Sequence, residues 1–385
     1  MTVPEPLRLA ARGLPTPCAV VDLAAFDRNA RDLVCRAGRL PIRLASKSVR
    51  CRALAERALA GPGFSGVLAY SLAEAVWLAR HGRRDVLLAY PSVDRPALAE
   101  VAQDPSLREA ITVMVDHPDH VDLVCSVAGP AGPVRVCLDV DASLRVGPVH
   151  LGVRRSPVHT PDQAGRAAHA IAQRTGVRLV GLMFYDAQIA GLPDSSPGVR
   201  MVKRLSAREL LARRAAVVEA VSVHADLEVV NGGGTGSLHI TGRDPRLTEL
   251  AAGSGLFGPT LFDGYRDFAP QHAAYLVLSV TRRPAPQVAT CYSGGYIASG
   301  PPGWSRVPQP CHPEGLTMLR TEGAGEVQTP VTGRAAAGLR IGDQVWFRHA
   351  KAGELCERVD TVHLVQDGAV VANVPTYRGE GMNFG

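Results

Sequence analysis

Short apolar runs alternate with longer amphipathic runs through most of the chain. Apolar runs of strand length occur at residues 42–45, 66–70, 86–90, 111–115, 134–140, 179–185, 227–230 and 255–257. Between them, apolar residues recur at helical spacing over 71–81, 96–102, 120–128, 161–175 and 207–224. Apolar strands that alternate with helices form a parallel sheet covered on both faces. The pattern therefore predicts an α/β protein with a (β/α)8 barrel of the TIM type, which we place at residues 18–268.

The pattern changes after residue 268. Strand-like runs at 275–280, 288–291, 316–319, 344–348, 361–365 and 370–374 are joined by Gly- and Pro-rich turns, without helices between them. Residues 269–385 are therefore predicted to form a smaller all-β domain, and the Pro-rich segment 1–17 is a candidate to pack with it. A doubly wound open sheet is the alternative for the first part, although the early GxGxxG turn of a dinucleotide-binding fold is absent.

Composition and charge exclude several classes of function. Of the 385 residues, 46% are hydrophobic and 20% are charged, which is ordinary for a globular protein. The formal net charge is +6, but the arginines are dispersed and are not clustered with aromatic residues as in a nucleic-acid-binding surface. We expect no membrane span and no signal peptide from the apolar pattern. The eight cysteines include no CxxC pair, so we expect reduced thiols and a cytoplasmic protein.

A single lysine follows the first predicted barrel strand. The run 42–45 leads directly into Ser46 and Lys47. The carboxyl end of a barrel strand is where such folds keep their chemistry. Partial burial near the cations Arg43 and Arg50 would favour the nucleophilic amine. Lysines in such surroundings form Schiff bases with aldehydes such as pyridoxal phosphate. A solvated surface lysine is the alternative.

Consecutive glycines follow the seventh predicted strand, where residues 231–235 read Asn-Gly-Gly-Gly-Thr. Glycines let backbone N–H groups converge on an anion, and the threonine adds a hydroxyl donor. Late loops of a barrel commonly hold a phosphate group, so we predict a phosphate site here. Ser254 and Gly255 close the next turn and could supply the remaining donors. A flexible turn without a ligand is the alternative.

Two further side chains lie at predicted strand ends and could line a cofactor ring. Arg145 follows the fifth barrel strand and could face the ring or its phenolic oxygen, but a salt bridge to Asp139 or Asp141 is equally expected. Tyr185 ends the sixth strand and could stack on or flank a planar ring. Plain core packing is an equal alternative for the tyrosine.

Imidazole, carboxylate and thiol groups occur together after the predicted strand 344–348. They belong to His349, Glu354 and Cys356. Such groups suit a divalent transition metal such as zinc. Their spacing fits no standard zinc finger, and a single histidine is more often a core residue than a ligand. The sequence therefore leaves both a metal site and a purely structural loop open.

Taken in order, these segments resemble the alanine racemase-like (fold type III) pyridoxal-phosphate enzymes, and within them the D-threonine aldolase and D-serine dehydratase branch. Residues 15–22, Pro-Thr-Pro-Cys-Ala-Val-Val-Asp, are similar to the opening of the family. The Lys47 segment lies where the branch carries its Schiff-base motif, and 231–235 matches its phosphate loop. Residues 248–254 resemble a further motif, and 342–356 lies where the branch carries its metal ligands.

The resemblance implies a pyridoxal-phosphate barrel followed by a β-domain, often as a homodimer with the site between domains. It also implies that the early strand 18–23 joins the β-domain. Lys47 would carry the cofactor as a Schiff base, and Arg145 and Tyr185 would line its ring. The remaining cofactor-binding positions that it implies are Asn231, Gly233, Gly234, Thr235, Ser254 and Gly255.

The implied activity is a lyase reaction on a β-hydroxy-D-amino acid, most simply retro-aldol cleavage to an aldehyde and glycine. Dehydration of D-serine or D-threonine, racemisation or epimerisation, and a non-catalytic cofactor-binding protein are the alternatives. The implied catalytic set is Lys47, Arg145 and His349, with a zinc or manganese ion assisting the substrate hydroxyl. The chain departs from the family pattern, because six residues separate His349 from Cys356 instead of one. Either the loop bulges around one ion, or Glu354 replaces a ligand, or there is no metal.

Overall fold

The computed structural model describes residues 3–128 and 132–385. Its helices are α1 (Glu5–Ala11), α2 (Leu23–Ala37), α3 (Arg52–Leu59), α4 (Leu72–Arg80), α5 (Arg95–Gln103), α6 (Pro105–Ala110), α7 (Pro118–Ala128), α8 (Pro161–Ala172), α9 (Ala187–Ala190), α10 (Pro197–Ser222) and α11 (Leu238–Thr241). Its strands up to residue 252 are β1 (Cys18–Asp22), β2 (Ile42–Ala45), β3 (Phe64–Ala69), β4 (Val86–Leu88), β5 (Ile111–Val115), β6 (Val134–Asp139), β7 (Leu144–Val146), β8 (Val149–Leu151), β9 (Val177–Phe184), β10 (Val229–Gly232) and β11 (Glu249–Ala252).

The later strands are β12 (Ala274–Ala285), β13 (Val288–Tyr292), β14 (Gln309–His312), β15 (Thr317–Met318), β16 (Gln328–Thr332), β17 (Gln344–Arg348), β18 (Thr361–Gln366) and β19 (Ala369–Pro375). Among the described residues, no helix is both long and apolar enough to cross a membrane.

Parallel strands close into a barrel in the order β2-β3-β4-β5-β6-β9-β10-β11, with β11 returning to pair with β2. The predicted (β/α)8 fold class is therefore confirmed. Local sequence explains the helices that follow these strands. Ser71 caps α4, Asp94 caps α5, and Thr160 forms a capping box with Gln163 at the start of α8. Each cap satisfies backbone N–H groups that would otherwise lack partners.

The position predicted for the last barrel strand is wrong. The strand is Glu249–Ala252, whereas residues 254–256 form a single 3-10 turn. A carboxylate at the start of this strand hides it from an apolar-pattern search. Glu249 is buried all the same, because Arg43 donates to its two oxygens at 2.6 and 2.8 Å and the Asn231 amide donates at 2.7 Å.

Small and medium apolar side chains fill the middle of the barrel. The buried cluster consists of Ala45, Leu68, Leu87, Ala89, Met114, Cys137, Met183 and Ala251. Towards the amino ends of the strands lies the ion pair of Arg43 with Glu249, to which Asp85 adds a second carboxylate at 2.7 Å. Removing one partner of a buried ion pair typically costs about 3–5 kcal/mol, because the other charge is left uncompensated. The pair therefore fixes the register in which β11 closes against β2.

The second region is all-β, as predicted. Its sheet runs β15-β16-β13-β12-β1-β18-β19, and β17 pairs with both β12 and β14. Strand β1 lies antiparallel to β12 and parallel to β18, so the early strand joins this sheet as the family resemblance implied. Strands β14 and β16 were not predicted. Each contains a proline, Pro310 or Pro330, which removes a backbone donor and weakens a strand signal.

Two compact units, neither of them a single continuous stretch, make up the chain. One consists of Met1–Asp32, Ser48–Arg57 and Ser254–Asn383, and the other of Leu33–Lys47, Ala58–Gly253 and Phe384–Gly385. In the first unit, Leu7 and Ala11 of α1 pack with Val20, Val277 and Trp346 in one buried cluster. The second unit contains the closed barrel.

Candidate active site

Alternation along the barrel strands brings several polar side chains to their carboxyl ends. Successive strand residues point to opposite faces, so a residue two positions beyond an interior residue continues on the interior side. Polar residues in this relation to the interior cluster include Lys47 after Ala45, Tyr70 after Leu68, Asp116 after Met114, Asp139 after Cys137, and Tyr185 after Met183. The predicted lysine and tyrosine therefore share the barrel mouth with two carboxylates.

Lys47 is half-buried in a one-turn 3-10 helix, Ser46–Ser48, that follows β2 directly. The Ser46 hydroxyl donates to the Leu68 carbonyl at 3.0 Å and fixes the start of this turn. The Lys47 ammonium donates to the Tyr90 hydroxyl at 2.8 Å and lies 5.4 Å from the centre of that ring. The amine is thus held at the barrel mouth by a phenol, which is inconsistent with a freely solvated surface lysine.

The chain has only three lysines, and the other two are placed differently. Lys203 forms a buried ion pair with Asp194 at 2.8 Å. Lys351 donates to the Ser299 hydroxyl in the other compact unit. Lys47 is therefore the lysine that directly follows a barrel strand, at its carboxyl end.

A guanidinium group that sequence reasoning missed lies over two tyrosines at the mouth. The Arg155 guanidinium carbon lies 5.3 Å from the ring centre of Tyr90 and 4.9 Å from that of Tyr185. Burial raises the pKa of Tyr185, so the phenol is neutral at physiological pH. The sequence signal available was only the adjacent pair Arg154 and Arg155, because no strand was predicted between residues 140 and 179.

The pKa values of two carboxyl groups at the barrel mouth, Asp139 and Asp116, are raised. Burial, followed by the nearby Asp116 carboxylate, raises the pKa of Asp139 to about 7. Burial also raises the pKa of Asp116, whose oxygen lies 3.1 Å from the His120 ring nitrogen. Perturbed carboxylates in a cleft are typical of acid–base catalysis. The sequence had suggested Asp139 only as a salt-bridge partner.

Arg145 makes the salt bridge that the sequence offered as an alternative. It lies in β7 and donates to the Asp141 carboxylate at 2.5 Å. Its side chain is 40% exposed, whereas Asp141 is buried. The structure does not bring Arg145 into contact with Lys47, and no distance supports a role at the cofactor ring.

The glycine loop begins at the end of β10 and is shaped for close approach. Gly233 has φ +80°, a conformation that favours glycine. A side chain at Gly234 would lie 2.8 Å from the Ala190 methyl carbon and 3.7 Å from the Tyr185 ring. The Gly234 N–H donates to the Ser237 hydroxyl at 3.1 Å. The loop is therefore packed closely against Tyr185.

Buried polar groups hold this loop in place. Arg36 donates to the carbonyl of the buried Thr235 at 2.7 Å. Asp186, which is fully buried, accepts from Ser237 at 3.1 Å and from Thr241 at 2.5 Å. Burial raises the pKa of Asp186. No sequence argument identified this carboxylate, because its partners are separated from it by more than fifty residues.

The other predicted phosphate-loop positions are placed as follows. The Asn231 amide donates to Glu249 inside the barrel, at 2.7 Å. Ser254 and Gly255 follow β11 in the short 3-10 turn and belong to the other compact unit. There, the turn is tied down by Asn29, whose amide donates to the Leu256 carbonyl at 3.0 Å.

The predicted metal ligands do not converge. His349 is completely buried, its Nδ1 lies 3.1 Å from the Ala274 carbonyl, and burial lowers its pKa to about 3. Its Nε2 has no hydrogen-bond partner within the described residues. Burial raises the pKa of Cys356 well above its usual range, and Glu354 accepts from the Ser299 N–H at 3.1 Å. In the part of the chain that the structure describes, no three His, Cys, Asp or Glu side chains form a group that could hold a metal ion.

Comparisons with known proteins agree with this architecture. The curated D-threonine aldolase of Arthrobacter sp is 27% identical over 282 residues, which are 70% of this chain and 69% of that protein. A 3-hydroxy-D-aspartate aldolase of Paracoccus denitrificans (strain Pd 1222) is 24% identical over 73% of this chain and 72% of its own. The crystal structure of D-threonine aldolase from Filomicrobium marinum superimposes with a TM-score of 0.81 at 24% identity, covering 95% of this chain and 96% of that one.

The model of the family described as alanine racemase, N-terminal domain, matches residues 21–260, more than half of the chain. This match spans the barrel, the Lys47 turn and the glycine loop. The resemblance seen in the sequence is thereby confirmed, and the chain belongs to the alanine racemase N-terminal domain family.

Proposed function

We propose that the protein is a pyridoxal-phosphate-dependent lyase that cleaves a β-hydroxy-D-amino acid to an aldehyde and glycine. The observation that carries the proposal is the Lys47 amine, held by Tyr90 at the barrel mouth. The similarity to a D-threonine aldolase and to a 3-hydroxy-D-aspartate aldolase supports the same substrate class. A small amino acid is accordingly the expected ligand.

The residues present fit pyridoxal phosphate. Lys47 would hold the cofactor aldehyde, and the loop of Gly233, Gly234 and Thr235 would face its phosphate. Tyr185, packed against that loop, would flank the ring. When bound, the cofactor supplies an electron sink for the charge that develops at the substrate α-carbon. The remaining predicted contributors to cofactor binding stay predictions; they are Asn231, Ser254, Gly255 and Arg145.

Asp139 is the group that we assign to the substrate hydroxyl. Retro-aldol cleavage requires a base that removes the β-hydroxyl proton while the Cα–Cβ bond breaks. A pKa of about 7 leaves Asp139 able to accept a proton at neutral pH. Arg155 lies close enough to favour the carboxylate form of Asp139 electrostatically. Lys47, once released, would hold the proton that returns to the α-carbon.

A dehydratase is the second candidate, and it uses the same residues. Lys47 would then remove the α-proton, and the β-hydroxyl would leave, giving a keto acid and ammonia. The half-buried position of Lys47 beside the phenol of Tyr90 suits either proton transfer. The two activities differ in their products, which a direct assay separates.

The donor set around His349 does not fit a divalent metal. Among the described residues, Cys356 and Glu354 do not join His349 in a group that could hold a metal ion. Glu354 is bound to the Ser299 backbone. We therefore assign the substrate hydroxyl to Asp139 and no step to a metal ion. A homodimer and a cytoplasmic location stay predictions.

Replacing Lys47 with alanine should abolish both cofactor attachment and cleavage. The wild-type protein with pyridoxal phosphate should absorb near ~420 nm, as Schiff bases of this cofactor do, and should convert D-threonine to acetaldehyde and glycine. Lys47→Ala should lack the band and lose at least about 1,000-fold in kcat. The matched control, Lys351→Ala, should keep both. Keto acid without aldehyde from the wild type would reject the aldolase in favour of the dehydratase.

Cleavage should depend on the ionisation of Asp139. Because its carboxylate form is the base, kcat should rise with pH through about 7 and then level off. Asp139→Asn should remove this acidic limb and lower kcat by about 100- to 10,000-fold. The measurement is a pH–rate profile of both proteins at saturating substrate. An identical limb in Asp139→Asn would show that another group is responsible.

Chelation should leave the activity intact. After dialysis against EDTA, the holoenzyme should retain its kcat, and elemental analysis should find well below one zinc or manganese per chain. The physical reason is that, within residues 3–128 and 132–385, no three His, Cys, Asp or Glu side chains converge around His349. Loss of activity on chelation with recovery on adding zinc or manganese would contradict this account and restore the predicted metal site.

A further inference from the structure

Two carboxyl groups that end neighbouring barrel strands share the barrel mouth. Strands β5 and β6 pair in parallel, with Val115 opposite Leu138. The next residues, Asp116 and Asp139, each stand two positions beyond an interior residue, so both side chains turn towards the same mouth. The Asp116 carboxylate is close enough to raise the pKa of Asp139. The proposed cleavage uses Asp139 alone and gives Asp116 no role.

A histidine of the following helix contacts Asp116. His120 belongs to the first turn of α7, and its Nδ1 lies 3.1 Å from a carboxylate oxygen of Asp116. The Asp116 backbone N–H also donates to this nitrogen, at 3.4 Å, which holds the ring beside the carboxylate. The His120 side chain is 24% exposed, whereas that of Asp116 is 9% exposed. The imidazole is therefore the more accessible of the two to water, and imidazole groups exchange protons with water near neutral pH.

Release of a proton from Asp139 is a separate requirement of the proposed cleavage. Each turnover leaves the hydroxyl proton on Asp139, which must lose it before the next substrate reacts. Burial raises the pKa of Asp139 to about 7 and keeps the residue away from bulk water. Burial raises the pKa of Asp116 as well, whereas the nearby imidazoles lower it. The other charged groups that act on the two carboxyls are Asp141, Arg155, His117 and His120. A proton acceptor beside Asp139 that connects to water meets this requirement.

We propose that Asp116 and His120 form a proton relay that carries the hydroxyl proton from Asp139 to solvent. This inference rests on the proposed lyase function. The substrate O–H bond breaks as an O–H bond forms on Asp139, and the proton then passes to the Asp116 carboxylate. Asp116 gives it to Nδ1 of neutral His120, and the resulting imidazolium releases a proton to water or buffer. The relay acts after the Cα–Cβ bond has broken, so its loss slows the return of Asp139 to the carboxylate form and not the cleavage itself.

Rapid-quench and steady-state measurements on the holoenzyme with D-threonine separate cleavage from proton release. The wild type should release acetaldehyde without a burst, at a rate that does not depend on buffer concentration. His120→Gln should release about one acetaldehyde per chain at the wild-type rate and should then turn over about 100-fold more slowly. Added imidazole should restore most of the steady-state rate, because a small base replaces the missing ring.

Two further variants complete the test. The matched control is His117→Gln, because His117 contacts Asp119 at 3.4 Å and is 52% exposed. This variant should keep kcat within about twofold, with no effect of imidazole. Asp116→Asn should show the same burst as His120→Gln. Its first turnover should also titrate at a lower pH than that of the wild type, since the carboxylate that raises the pKa of Asp139 is gone.

Three outcomes would overturn the relay, each in its own way. A His120→Gln enzyme without a burst, or one that imidazole does not rescue, would show that His120 carries no proton while the lyase function stands. The same burst and rescue in His117→Gln would assign the effect to charge near Asp116 and not to the contact made by His120. A wild type that carries the cofactor on Lys47 and cleaves no D-threonine would reject the proposed function, and the relay with it.

Discussion

Closure of eight parallel strands into a barrel is the constraint on which the rest of this structure depends. Once β11 pairs with β2, the inward and outward faces of every strand are fixed, and a slip of one residue would turn each interior side chain outwards. The buried pair of Arg43 and Glu249 spans this closing contact. The apolar cluster next to this ion pair fills the middle of the barrel. The inward positions that follow the cluster along the strands, among them Lys47 and Asp139, therefore lie at the barrel mouth.

Electrostatics at the mouth follow from that geometry. Burial, followed by the Asp116 carboxylate, raises the pKa of Asp139 to about 7, which places a carboxyl group that can exchange protons at the carboxyl end of β6. The Lys47 ammonium donates to the phenol of Tyr90, which holds the amine at the carboxyl end of β2. The Arg155 guanidinium carbon lies 5.3 Å from the centre of the Tyr90 ring and adds positive charge to the barrel mouth.

The barrel and the β-region could be predicted from the sequence because they follow from local apolar periodicity. Lys47 and the glycine loop were picked out by residue type and by their positions after predicted strands. It failed where burial contradicts residue type, as at Glu249, whose charge is compensated only by residues distant in sequence. Tyr90 and Arg155 were missed because their contacts join residues from three different strand ends, which a local sequence pattern does not reveal. The metal prediction at His349 rested on residue types and on the family resemblance, and spacing alone could not show that Glu354 accepts from the Ser299 N–H.

Reductive trapping shows whether Lys47 captures the aldehyde of pyridoxal phosphate at the barrel mouth. The protein is incubated with pyridoxal phosphate, reduced with sodium borohydride, digested and mapped by mass spectrometry. With three lysines in the chain, the assignment is unambiguous. We expect about one phosphopyridoxyl group per chain, carried on Lys47. Labelling spread over Lys203 and Lys351 as well, or no labelling of Lys47, would show that Lys47 is not the residue that captures the aldehyde.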